Sequence, residues 1–376
     1  MEENIRNLVK VSRYYGVNKD YVIAGGGNTS YKNTDNLWIK ASGVSLANIS
    51  SDGFVCLSRS KLRIIYVKKY SNNSAQREIE VKNDLNGAIV SKNRKRPSVE
   101  SSLHDIIDYP FVVHTHPTLV NSLLCSKKAR ILSGELFGDD ILFIKYTDPG
   151  YTLFKKVSDE LVRFRKLKGF DPKIILLENH GIIVSGESIQ EIKDIYKNIE
   201  KAILKKIKLV LPGNNSQTFN TAIKELVVNY IKNNKSGVVN TISSDIIREF
   251  VRDKTSFEDV ETAFTPDHIV YCKSHYLFVD DKEESKALED LKAFNNKYGY
   301  YPKIIAIKNK GLLIIEDNIS SADIVKEMIL NMMKISIYAR SFGGSKSLDD
   351  KKIAFIENWE AENYRKQMIE NVNQEL

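Results

Sequence analysis

Phe111-Val-Val-His-Thr-His-Pro117 is the stretch on which the reading of this chain turns. Apolar and β-branched residues closed by a proline predict a short buried strand. On a strand, residues i and i+2 share a face, so His114 and His116 point the same way and Thr115 points away. Two imidazoles aimed together from one rigid element are two-thirds of a three-histidine metal site. A third candidate, His180, stands in Glu178-Asn-His-Gly181, at the end of the apolar run from Ile174 to Leu177. A lone histidine on such a strand is more often satisfied by a backbone partner. A pair backed by a third carries more weight.

Working outward, Tyr21-Val-Ile-Ala-Gly-Gly-Gly-Asn-Thr-Ser30 predicts a short strand running into three glycines. Such a loop can present N–H groups to an anion. Its glycines are not spaced as in a dinucleotide fingerprint, and no Gly-Lys-Ser/Thr follows for a P-loop. A tight hairpin is the plain alternative. Strands are predicted over Leu37–Ala41 and Phe54–Leu57, with Ser42-Gly43 as a second small loop. Residues 70–96 read as an irregular polar connection. Arg96-Pro-Ser-Val-Glu100 predicts a helix to about Ile107, with Ser98 as N-cap and Glu100 in the first turn, where a carboxylate suits the helix dipole. The same helix start could hold phosphate. Helices are predicted over 117–124, 152–168 and 188–210, a strand over 140–146, and a strand pair over 172–177 and 181–184.

The second half reads as a partial repeat. Pro172-Lys-Ile-Ile-Leu-Leu-Glu-Asn-His-Gly181 and Pro302-Lys-Ile-Ile-Ala-Ile-Lys-Asn-Lys-Gly311 agree at six of ten positions. Asp267-His-Ile-Val-Tyr271 is matched with the strand at Asp140. Pro212-Gly-Asn-Asn-Ser-Gln217 is the linker, giving domains over 1–213 and 219–376. Lys310 takes the place of His180, so the second lobe is expected to lack a metal site, with His268 and His275 as ordinary residues. Residues 357–364 predict a packing helix.

At 376 residues the chain exceeds what one core usually serves. Its net charge of +8 comes from 56 basic against 48 acidic residues, and Lys92-Asn-Arg-Lys-Arg96 is the dense basic run of the first half. No nucleic-acid signature accompanies that run, so no nucleic-acid partner is expected. Three scattered cysteines do not make a disulfide framework. No signal peptide and no transmembrane run is read, which predicts a cytoplasmic protein without a membrane partner.

Taken together, Gly26-Gly27-Asn28-Thr29-Ser30, Ser42-Gly43, Ser98-x-Glu100, His114-x-His116-Pro117 and Asn179-His180-Gly181 resemble the class II aldolase/adducin family over about residues 1–210. Its sugar-cleaving members are fuculose- and rhamnulose-phosphate aldolases. The longer chain, with Phe264-Thr-Pro-Asp267 opening a second lobe, looks most like the aldolase portion of the rhamnose-utilisation branch, with no dehydrogenase domain following. The resemblance implies an α/β fold: a mostly antiparallel sheet covered by helices, followed by a degenerate copy of part of it. It implies one zinc ion per chain on His114, His116 and His180, with Glu100 as catalytic acid/base. Gly27, Asn28, Thr29, Ser42, Gly43 and Ser98 would bind a substrate phosphate. Tyr146 matches a tyrosine that serves a neighbouring subunit's site, which implies a homo-oligomer, usually a tetramer. Val99 departs from the pattern, because the sugar-phosphate aldolases carry a hydroxyl residue there and valine cannot donate to phosphate.

Zinc on three neutral imidazoles keeps its charge and open positions, and a partly buried carboxylate is expected to have its pKa raised toward neutrality. The implied reaction is retro-aldol cleavage of a ketose 1-phosphate to dihydroxyacetone phosphate and an aldehyde. A sugar-phosphate epimerase or dehydratase on the same site stays open, as does a non-catalytic adducin-like binding protein.

Overall fold

A computed structural model describes residues 2–92, 95–213, 215–232 and 237–359. The chain divides into two compact units. One contains Met1–Leu124 and Lys128–Ile207, with Asn358 and Trp359 returning to it; the other contains Cys125–Lys127 and Lys208–Glu357.

The first unit is built on a seven-stranded sheet in the order β3-β2-β1-β4-β7-β6-β5. The strands are β1 (Asn28–Lys32), β2 (Asn36–Lys40), β3 (Phe54–Ser58), β4 (Phe111–Thr115), β5 (Leu142–Ile144), β6 (Ile174–Leu177) and β7 (Gly181–Gly186). All neighbours are antiparallel except β5 and β6. The sheet is flanked by helices, the expected architecture. The predicted His-x-His strand is its centre, β4, every residue of which is buried. Core side chains of β4 to β7 pack on the helix Tyr151–Lys168 through Leu153, Val157 and Leu161. Leu37, Ile39, Val55 and Leu57 of β2 and β3 pack on Val81 and Leu85.

Those two residues belong to a helix, Ser74–Gly87, where an irregular connection was expected. The Asn73 side chain caps it by accepting from the Gln76 N–H. A second correction concerns residues 21–27. No strand precedes the glycines; the strand begins after them, at Asn28. A third concerns the acid-bearing helix, which spans Ser101–Ile106 with Glu100 at its N-cap position. Ser98 lies one turn upstream, and its hydroxyl accepts the Glu100 N–H at 3.2 Å.

The second unit carries a four-stranded sheet in the order β8-β11-β10-β9, made of β8 (Val238–Ile242), β9 (Leu277–Val279), β10 (Ile304–Ile307) and β11 (Gly311–Glu316). Its directions repeat those of β4-β7-β6-β5: antiparallel, antiparallel, then parallel. The register repeats too. Leu177 faces Gly181 as Ile307 faces Gly311, and His114 faces Ile183 as Thr241 faces Leu313. Asn179 and Asn309 both adopt left-handed backbone, at φ 52° and 59°. Their N–H groups donate to the ends of matching helices, at Leu124 and Val251. Thr241, Ser243 and Lys310 therefore take the positions of His114, His116 and His180.

The Lys310 ammonium is ion-paired with Asp281 at 2.5 Å. Asp281 follows β9 as Tyr146 follows β5. The expected match of Asp267–Tyr271 to the Asp140 strand is wrong. Those residues form the helix Pro266–Cys272, capped by the Thr265 side chain with proline at its start. The true counterpart of β5 is β9. A helix over Asp350–Glu357 ends where the predicted closing helix was to begin; Asn358 and Trp359 are not helical, and 360–364 fall outside the described residues. Among the described residues no helix is long and apolar enough to cross a membrane.

Candidate functional site

β4 delivers two histidines and the β6–β7 turn delivers the third. Gly181 makes their approach possible, because a Cβ there would lie 2.5 Å from the Thr115 carbonyl and 2.6 Å from the His116 ring. The Asn121 side chain donates to the His180 carbonyl at 3.2 Å and steadies the turn. The His116 N–H donates to the Tyr21 carbonyl at 3.0 Å, fixing the end of β4 beneath the glycine-rich segment.

The three rings meet at centroid separations of 4.8, 5.0 and 5.1 Å. One nitrogen from each lies within 4.8 Å of the others, an arrangement that could hold a metal ion. His114 Nδ1 is 2.9 Å from the Ile182 carbonyl, which assigns it the proton and leaves Nε2 as the ligand atom. That atom is 3.0 Å from His116 Nε2. Three convergent, mostly buried imidazole nitrogens fit zinc.

Glu100 lies against the trio. Its Oε2 is 3.7 Å from His114 Nε2, and it accepts from the Asn28 amide at 2.5 Å. Asn28 faces His114 across the β1–β4 pair, which explains how residues far apart in sequence meet. Burial pushes the Glu100 carboxyl up, but His114 and His180, helped by the Asn28 hydrogen bond, outweigh it and hold the group at about 2. The expected upward shift is thus overturned wherever the ring cluster carries positive charge, on a protonated imidazole or on a bound cation, and the group is then a carboxylate.

Residues 6–204 match the class II aldolase and adducin N-terminal domain. The chain belongs to the class II aldolase and adducin family. It is similar to the uncharacterized oxidoreductase YuxG of Bacillus subtilis, at 21% identity over 97% of this chain, and spans 58% of that protein's length. It is also similar to the L-fuculose phosphate aldolase of Methanocaldococcus jannaschii, at 23% identity over 52% of this chain and 89% of the relative. Among solved structures it is similar to the N-terminal class II aldolase domain of a conserved Thermoplasma acidophilum protein. That match has 28% identity, covers 54% of this chain and 92% of the other, and has a TM-score of 0.46.

The family's expected anion-binding residues separate into three groups in this member. Gly27 (φ 62°), Asn28 and Ser98 adjoin Glu100 and His114. A Cβ at Gly27 would sit 2.7 Å from the His114 carbonyl, and Asn28 reaches Ser98 Oγ at 3.4 Å. The Asn28 amide, expected beside a phosphate, is directed to Glu100 instead. Ser42 and Gly43 reach the same neighbourhood through the next strand, where the Ser42 N–H donates to the Arg96 carbonyl and Ala41 bridges to Pro97. Thr29 does not join them. Strand alternation turns it to the opposite face, where its fully buried hydroxyl is 2.6 Å from Ser12 Oγ.

Tyr146 is tied to the histidine turn by its backbone, its N–H donating to Glu178 at 2.9 Å. Val99 lines a separate cavity of about 290 Å³ with Pro97, Leu85 and Trp359. Two buried residues near the site were missed in the sequence. His104, one turn after Glu100, lies 2.7 Å from Ser30 Oγ and is pushed down to about 3 by burial. Its i+4 spacing from Glu100 was a readable signal. Lys40 ends β2 with its ammonium buried, and nothing in its local pattern marks it.

Proposed function

We propose that this protein is a zinc-dependent aldolase that reversibly cleaves a ketose 1-phosphate to dihydroxyacetone phosphate and an aldehyde. The observation that carries this reading is the Glu100 carboxylate set against three convergent imidazoles. His114, His116 and His180 would hold the ion, which would supply the positive charge that stabilises negative charge developing on the ketone oxygen. Glu100, fixed through Oε2 by Asn28, is the proton carrier. In the condensation direction it removes a proton from the carbon beside the ketone, and in cleavage it returns one. Tyr146 of a neighbouring copy would donate to the aldehyde oxygen, making the enzyme an oligomer. Gly27, Ser42, Gly43 and Ser98 would seat the phosphate. The enzyme would work in the cytoplasm.

The test compares wild type with a His114→Ala/His116→Ala double variant by metal analysis and by aldehyde release from a panel of ketose 1-phosphates. About one zinc per chain and turnover in wild type, both lost in the variant, are expected. A wild type that takes up no zinc after reconstitution refutes the reading and favours an adducin-like binding protein.

A further inference from the structure

The three histidines are not seated alike. His114 lies inside the β4 ladder, opposite Asn28 on one side and Ile183 on the other. His180 sits in the turn that joins two paired strands, β6 and β7. His116 stands one residue beyond the last ladder pair of β4, Thr115 with Ile182, and just before Pro117. Its N–H donates instead to the Tyr21 carbonyl, and two residues on the Thr118 N–H donates to the Asp20 carbonyl at 2.7 Å. The His116 backbone is thus seated on residues 20–21, in a turn-rich segment that contains no strand.

That segment is held from behind by the helix Ile189–Leu204. The Tyr21 hydroxyl donates to the Glu200 carboxyl group, and the Tyr21 ring packs against Tyr15 at 4.9 Å and Tyr196 at 5.8 Å. Tyr196 lies one turn before Glu200 on the same helix face. It is buried, and its hydroxyl is 2.7 Å from Thr115 Oγ1, on the side of β4 away from the histidines. One helix face therefore grips β4 directly before His116 through Tyr196, and the segment beneath His116 through Glu200. Groups that orient a metal ligand from behind govern affinity as well as fold, because a ligand nitrogen displaced by a fraction of an ångström binds less well.

We propose that Glu200 and Tyr21 are positioning residues of the histidine trio: their contact fixes the carbonyl that seats His116 and so sets the affinity of the site for its metal. This rests on the reading of His114, His116 and His180 as metal ligands, and not on the reaction the metal serves.

The test uses Tyr21→Phe, which removes only the hydroxyl, Glu200→Leu, which removes the acceptor, their double variant, and Glu200→Gln, which keeps an acceptor oxygen. Lys173→Met is the control. It breaks the Lys173–Glu191 ion pair, which ties the start of the same helix to the sheet far from His116 in the chain. Zinc affinity is measured by competition with a chromophoric chelator, ligand geometry by the visible spectrum of the cobalt(II)-loaded protein, and stability by melting the metal-free protein. Tyr21→Phe and Glu200→Leu should each weaken zinc binding about tenfold and alter the cobalt spectrum. The double variant should be no weaker than either, since one contact is lost in all three. Glu200→Gln should stay within about threefold of wild type, and Lys173→Met should melt earlier with zinc affinity and cobalt spectrum unchanged. Wild-type zinc affinity in Tyr21→Phe overturns the proposal. An equal loss of affinity in Lys173→Met also overturns it, by making the effect one of general stability, and so do additive losses in the double variant. A wild type that takes up neither zinc nor cobalt ends this proposal and the aldolase reading together. A wild type that binds zinc tightly, loses affinity in both single variants and cleaves no ketose 1-phosphate upholds the proposal and refutes the aldolase reading alone.

Discussion

The β4-β7-β6-β5 and β8-β11-β10-β9 sheets run through the same strand directions, the same register and the same left-handed asparagine turn. At the three corresponding positions one sheet offers His114, His116 and His180, and the other Thr241, Ser243 and Lys310. Where the first could gather a cation from solution, the second already has one of its own, the Lys310 ammonium, neutralised by Asp281. A protonated amine is no metal ligand, yet it meets the same demand for positive charge at the end of two strands. The frame persists without the metal chemistry. The histidine trio is therefore a property of three side chains and not of the turn that displays them.

Removing the third side chain in each lobe tests this most severely. His180→Ala should cost nearly all bound zinc and lower turnover by at least about 1,000-fold, as expected when an essential electrophile goes. Lys310→Ala should keep zinc and activity and lose about 0.5–1 kcal/mol of stability, the usual worth of a partly exposed pair. Loss of zinc in Lys310→Ala would break the comparison.

The turn glycines come next. A Cβ at Gly311 would lie 2.3 Å from the Ile242 carbonyl, as close a clash as the one at Gly181. Gly181→Ala and Gly311→Ala should both destabilise by about 1–3 kcal/mol. Gly181→Ala alone should weaken zinc binding, by at least about tenfold. Equal zinc affinity in the two variants would show that the trio tolerates a shifted β4.

The two lobes also differ in their buried lysines. In the second lobe Lys303 is ion-paired with Glu316. In the first, Lys32 donates to the His104 carbonyl at 2.9 Å, and burial drives its pKa down to about 7 despite nearby Asp105. Between pH 7 and 10.5 the unfolded chain then binds more protons at Lys32 than the folded one. Stability should rise with pH across that window, by at most about 1.4 kcal/mol per unit. Denaturant melts should show this component in wild type and not in Lys32→Met; identical pH profiles would contradict it.

Much of this was legible because alternation is a strong signal on a central strand. Val112, His114 and His116 share one face in the sequence and in the sheet, and the repeated Pro-Lys-Ile-Ile led directly to paired hairpins. Ser74–Gly87 was missed because only Val81 and Leu85 of its residues are buried, too few to impose a helical period. Residues 21–23 misled by being apolar without forming a ladder; Val22 and Ile23 are buried in a turn-rich segment instead. The helix at Pro266 was legible through Thr265 as N-cap and was overridden by an alignment of spacing. The Asn28–Glu100 contact joins separate segments, and no local pattern announces such a meeting.

The Asn28 to Glu100 hydrogen bond links groups 72 residues apart in the chain. The β1–β4 ladder that permits it must close a loop of that order before any contact repays the lost freedom. The histidines of β4 and the β6–β7 turn are joined across an equally non-local ladder. The three imidazoles accordingly converge only when these long-range ladders have closed, so a metal ion bound there would meet a formed frame.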